Sequence, residues 1–110
     1  MRRERDLEAD LDWLVGRIRD EYEPEKIILF GSLARGETHE WSDIDLIVVK
    51  DTEARYGERI KALTSVIQDR LVGADILVYS LKEYEQAREE GGAFLKEAER
   101  DGMVLYERHG

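Results

Sequence analysis

The chain has 110 residues, 42% hydrophobic and 39% charged, with a formal net charge of −9 and a mean hydropathy of −0.56. That length suits one modest core, so one domain over residues 1–110 is expected, and the acidic excess makes free nucleic acid a poor partner because phosphate backbones need clustered Lys and Arg. The absence of cysteine excludes disulfides and thiolate metal sites.

The charged opening, Met1 to Asp6, leads into no signal-like apolar core, and no apolar run approaches the length of a membrane span. A cytoplasmic, non-membrane protein is expected. Asn is absent and Glu abundant, a bias of heat-adapted proteins; sampling in a short chain explains it equally well. Residues 4 to 22 carry apolar positions at Leu7, Leu11, Leu14, Val15, Ile18 and Tyr22, the spacing of a helix with one apolar stripe. Trp13 falls beside that stripe as a packing residue. Pro24 disfavours helix at Glu23 and stops it.

Lys26 to Phe30 is short, apolar and rich in β-branched residues, which predicts a buried strand. Gly31-Ser32 breaks it, and Ser32 to Gly36 has room for one helical turn. Glu37 to Ser42 is polar and loop-like. Asp43 to Val49 is a second strand, with Ile44, Leu46 and Val48 facing away from the aspartates. A second long helix follows, with apolar positions at Tyr56, Ile60, Leu63, Ile67 and Leu71, ending at Gly73. Ala74 to Tyr79 is a third strand with Asp75 embedded in it. Ser80 with Glu83 forms a capping box and starts a helix. Gly91-Gly92 interrupts it, and Phe94, Leu95 and Ala98 sit on a following helical piece. The glutamates from Glu83 to Glu99 are expected on a solvated face. Met103 to Tyr106 is a short terminal strand or an extended segment. Strands and helices alternate, so the class is α/β or α+β.

Three features carry chemistry. Gly lets a backbone approach a ligand closely, and the Ser32 hydroxyl with the N–H groups of a following turn can donate to phosphate oxygens. Asp43 and Asp45 share strand parity, with Cα atoms roughly 6.5–7 Å apart. Two carboxylates on one face repel unless a cation sits between them, and Mg²⁺, or a pair of such ions, fits oxygen ligands with positions left for phosphates. Asp75 lies in an apolar run, where an unpaired carboxylate is costly to bury. It either caps the strand start in water or is a third carboxylate from a neighbouring strand, acting as metal ligand or base. His39 and His109 read as solvated residues, and Trp41 as a base-stacking or loop-packing ring.

Taken together, Gly31-Ser32, ten residues, Asp43-x-Asp45 and then Asp75 resemble the signature of the nucleotidyltransferase superfamily related to DNA polymerase β. The wording Gly31-Ser32-Leu33-Ala34-Arg35-Gly36 and Ser42-Asp43-Ile44-Asp45-Leu46 is similar to its minimal nucleotidyltransferase branch, over nearly the whole chain. The resemblance implies a mixed sheet of three to four strands flanked by helices, two Mg²⁺ ions and ATP as substrate. It implies that Gly31 and Ser32 hold the β- and γ-phosphates, and that Asp43 and Asp45 bridge the metals. Asp75 would hold the catalytic metal and help activate the acceptor hydroxyl. Arg35 would reach a phosphate, or pair with Glu37 or Asp43 instead. Ser42 would shape the loop before the aspartates.

The minimal branch is paired with small helical HEPN-domain proteins that resemble RNase toxins. The resemblance therefore implies an antitoxin that transfers AMP to a hydroxyl, expected to be a tyrosine, of such a partner. Alternatives are a non-catalytic binding module that neutralises by complex formation, or nucleotidyl transfer to a small molecule such as an aminoglycoside. Homo- and hetero-oligomers both remain open.

Overall fold

The five-residue run Lys26–Phe30 forms β1, and its three central residues are all buried. In the computed structural model, which describes residues 7–36, 44–67 and 74–108, β1 is the hinge of a mixed four-stranded sheet. The other strands are β2 (Ile44–Lys50), β3 (Ala74–Ser80) and β4 (Met103–Glu107). Their order is β3-β2-β1-β4. β1 runs antiparallel to both β2 and β4, whereas β2 and β3 are parallel. Parallel neighbours need a crossover between them, and α3 (Tyr56–Ile67) lies in that connection.

Alternation sorts each strand between two helical layers. Ile27, Leu29, Ile44, Leu46, Val48 and Val78 point to one face. There they meet Leu14 of α1 (Leu7–Arg17), Ile18 and Tyr22 of a π-helical turn (Ile18–Tyr22), and Leu63 and Ile67 of α3. Ile28, Ile47 and Val49 point to the other face, against Tyr84 of α4 (Leu81–Glu90) and Leu95 and Ala98 of α5 (Ala93–Asp101). β2 is therefore covered on both sides, and Asp45 interrupts an otherwise apolar run from Ile44 to Val49. No helix among the described residues is long and apolar enough to cross a membrane.

Most predicted boundaries hold to within a few residues. The first helix widens into its π-helical turn, and Glu23 closes it in the left-handed region at φ 52°, next to the buried Pro24. The capping box is present: the Ser80 hydroxyl accepts from the Glu83 N–H at 3.0 Å, and the Glu83 carboxylate accepts from the Ser80 N–H at 3.0 Å. Gly91, in the left-handed region, ends α4. Met103–Glu107 is a strand, the first of its two expected forms.

Two expectations need correction. Tyr56 does not face the core: it is 48% exposed, and the buried residue of that turn is Arg59. The guanidinium can be buried because four hydrogen bonds engage it. It donates to the carbonyls of Ala54 and Val78 at 2.8 and 3.1 Å. It also makes two parallel bonds to the Glu83 carboxylate, at 2.7 and 2.9 Å. The Glu-rich face is likewise not merely solvated. Glu83 holds Arg59, and Glu99 accepts a hydrogen bond from the buried Tyr84 hydroxyl and pairs with Arg88. Leu71, Gly73, His39, Trp41 and His109 lie outside the described residues.

Candidate active site

The strand registers bring the expected residues to one end of the sheet. β1 ends at Phe30, opposite Asp45 of β2. Asp45 is in turn opposite Asp75 of β3. Hydrogen-bonded strands lie about 4.8 Å apart, and residues in register put their side chains on one face. Phe30, Asp45 and Asp75 thus form a row across three strands, on the face that carries α4 and α5. Asp45 is half-buried and Asp75 is exposed. The exposed position matches one expectation for Asp75, a carboxylate in water at a strand start. The register adds the second, a carboxylate beside Asp45.

Directly after Phe30 the chain turns into α2 (Gly31–Ala34), a single turn. Gly31 has φ +79°, and a Cβ there would sit 2.3 Å from the Asp45 Oδ2. So a side chain is excluded twice, by the backbone conformation and by the carboxylate that occupies its place. The turn is closed by the Arg35 N–H, which donates to the carbonyls of Gly31 and Ser32 at 3.2 and 3.1 Å. Gly36 follows in the left-handed region, at φ 77°. Ser32 is half-buried and Arg35 exposed.

Arg35 lies within electrostatic reach of Asp101, at the end of α5. The Asp101 carboxyl is held below its ordinary value first by its hydrogen bond with Arg100, and Arg35 adds to this. Behind the turn, Gly102 passes so close to β1 that a Cβ would meet the carbonyl oxygens of Ala98 at 2.3 Å and Leu29 at 2.6 Å. The corner between α5 and β4 therefore seats directly against the strand that carries Gly31 and Ser32.

Asp43 and Ser42 lie outside the described residues, as does Glu37. Among the described residues no three His, Cys, Asp or Glu side chains form a metal-holding group. The pair that is described nevertheless suits a hard cation. Asp45 and Asp75 stand in register on adjoining strands, two carboxylates side by side. Oxygen-only donors favour Mg²⁺ over softer metals. What the sequence did not reveal is the contact between Gly31 and Asp45. The sequence marks Gly31 as a glycine for a ligand, and it is also a glycine for the carboxylate.

The model of the family described as nucleotidyltransferase domain matches residues 11–105. No curated protein matches the sequence. Among solved structures, the fold is similar to a candidate nucleotidyltransferase from Sulfolobus solfataricus, at 19% identity and a TM-score of 0.60, over 93% of this chain and 86% of that one. A toxin–antitoxin complex with AMP-PNP matches at 20% identity and a TM-score of 0.58, over 89% of this chain and 73% of that one. A mutant MntA–HpeT toxin–antitoxin complex matches at 20% identity and a TM-score of 0.51, over 90% of this chain and 73% of that one.

Proposed function

The chain belongs to the nucleotidyltransferase domain family, and we propose that it is an Mg²⁺-dependent enzyme that moves AMP from ATP onto a hydroxyl of a partner protein. The observation that carries this reading is the in-register pair of Asp45 and Asp75 beside the Gly31-Ser32 turn. The likeness of the fold to antitoxin-containing complexes, one of them with a nucleotide analogue, supports the choice of partner and substrate.

In this proposal residues 1–110 act as a single minimal domain. The short turn of α2 offers the Ser32 hydroxyl and its own N–H groups to the β- and γ-phosphates. Arg35, one turn on, adds positive charge near them. Asp43, Asp45 and Asp75 are the residues that would hold Mg²⁺. When bound, the metal neutralises triphosphate charge and stabilises the attacking and leaving oxygens. The acceptor oxygen forms a bond to the α-phosphorus as the bond from that phosphorus to the bridging oxygen breaks. Pyrophosphate leaves, and the hydroxyl proton passes to the Asp75 carboxylate. The exposed position of Asp75 suits it to meet a macromolecular acceptor, whereas the half-buried Asp45 is fixed against Gly31. The protein's own share is positioning and electrostatics.

We take the partner to be a HEPN-domain toxin and the acceptor to be a tyrosine, as the sequence resemblance implies. Incubation with ATP labelled at the α-phosphate, Mg²⁺ and the HEPN protein encoded beside this one should place label on the partner and silence its toxicity. An unlabelled partner, neutralised equally well by wild type and by Asp45→Ala, would leave only complex formation.

A further inference from the structure

β3 is an end strand: β2 pairs with one edge, and among the described residues no strand pairs with the other. Its sequence, Ala-Asp-Ile-Leu-Val-Tyr-Ser, has neither the lysine nor the proline that commonly blocks an exposed edge. At the far end Arg59 donates to the Val78 carbonyl, so among the described residues the stretch left open is the one that begins at Asp75. On the face opposite Asp75, Ala74 and Ile76 help to line an apolar cavity of about 170 Å³, completed chiefly by Leu14, Ile60, Leu63 and Ile67.

These features fit together by strand periodicity. A strand added to this edge would carry side chains alternately to the two faces. A residue laid beside Asp75 would extend the row of Phe30, Asp45 and Asp75 by one strand spacing. Its immediate neighbour in sequence would point to the cavity at Ile76. Backbone hydrogen bonds would give such a complex its affinity, and the alternating pockets its selectivity.

We propose that the open edge of β3 is the acceptor site, and that it takes an extended polypeptide segment as a fifth strand. The segment carries a hydroxyl residue beside Asp75 and an apolar residue next to it in sequence, seated against Ile76. This rests on the transfer reading above and adds to it the class of acceptor, an extended segment with an apolar neighbour. A hydroxyl on a folded helix would not present both groups with this alternation.

The test uses the wild-type protein, Mg²⁺, α-labelled ATP and synthetic nonapeptides with a central tyrosine. The neighbours of the tyrosine are Leu, Ala or Lys, and two further sets are N-methylated at alternate amides. A full-length HEPN partner is assayed in parallel. Leu-flanked peptides should be labelled at least tenfold more efficiently than Lys-flanked ones, as judged by kcat/KM. One of the two N-methylated sets should lose labelling while the other keeps it. Equal labelling whatever the flanking residue, loss of labelling in neither or both sets, or labelling of the full-length partner without any peptide, would overturn the edge proposal and leave the transfer reading intact. Absence of label on partner and peptides alike would instead remove the transfer reading on which the proposal rests.

Discussion

Gly31 shows how much one missing side chain decides. Its φ of +79° is available to glycine at little cost, and the Asp45 carboxylate fills the place a Cβ would take. Replacement by alanine adds about 1–2 kcal/mol from the left-handed backbone alone. It also forces either the turn or Asp45 to shift. Gly31→Ala is therefore expected to lower the melting temperature and to slow nucleotidyl transfer well beyond what the stability loss explains. Thermal denaturation and a transfer assay on the same sample check both. The Gly-Ser break after an apolar run was legible because it interrupts a clear strand pattern. The contact with Asp45 was not, because it depends on the antiparallel register that sets Phe30 opposite Asp45. Asp75 was legible as a carboxylate out of place in an apolar run. Its position next to Asp45 requires the parallel pairing of β2 with β3, which no local pattern encodes.

Among the elements, α3 and α4 are locked together by Arg59 and Glu83. Helical periodicity put Tyr56 in the apolar stripe. The stripe instead takes Arg59, since the guanidinium finds carbonyls on two other segments and a carboxylate 24 residues away. The Val78 carbonyl and the Glu83 carboxylate lie 19 and 24 residues away, which is why a buried arginine could not be read from its neighbours. Arg59→Met leaves the Ala54 and Val78 carbonyls without this donor and, among the described residues, leaves the Glu83 carboxylate with only the Ser80 N–H. It should destabilise by on the order of 2 kcal/mol, seen in denaturant unfolding. Glu83 is half-exposed, so its side of the pair contributes only about 1 kcal/mol.

The pH dependence has a definite direction. The Glu83 carboxyl is held below its ordinary value chiefly by the Arg59 hydrogen bond, then by the Ser80 N–H. Its stabilisation is thus complete above the unfolded carboxylate range, near about 4.3. It is lost as the pH falls through the lower folded value. Glu83→Gln should flatten the acid side of the melting-temperature profile while lowering the plateau at neutral pH. The capping box itself was readable from Ser80 and Glu83 because both partners lie three residues apart. The second duty of Glu83 was not, and neither was the bond that ties Glu99 to Tyr84.

At the scale of the whole molecule, two apolar layers close on a sheet whose one end gathers polar groups from three separate stretches of chain. The strand order brings the Gly31-Ser32 turn, Asp45 and Asp75 to that end, and places the last of them on a strand whose outer edge pairs with no other strand among the described residues. The alternation of strands and helices made the class readable, and the combined motif made the family recognisable before any coordinates. The net charge of −9 fits the proposal of a triphosphate met through a cation and an acceptor brought by another protein.

Asp45 and Asp75 are proposed to serve chemistry and not folding. The direct test is the rate of AMP transfer from α-labelled ATP in Mg²⁺ by wild type, Asp45→Asn and Asp75→Asn, each first shown to melt as a folded protein. Removing like charges from adjacent positions should leave the melting temperature unchanged or raised. Transfer should fall by on the order of 10²–10⁴ in Asp75→Asn, the range for a group that handles a proton in the transition state, and at least as steeply in Asp45→Asn, which removes a carboxylate proposed to hold the cation. Folded variants that transfer AMP at the wild-type rate would contradict the account.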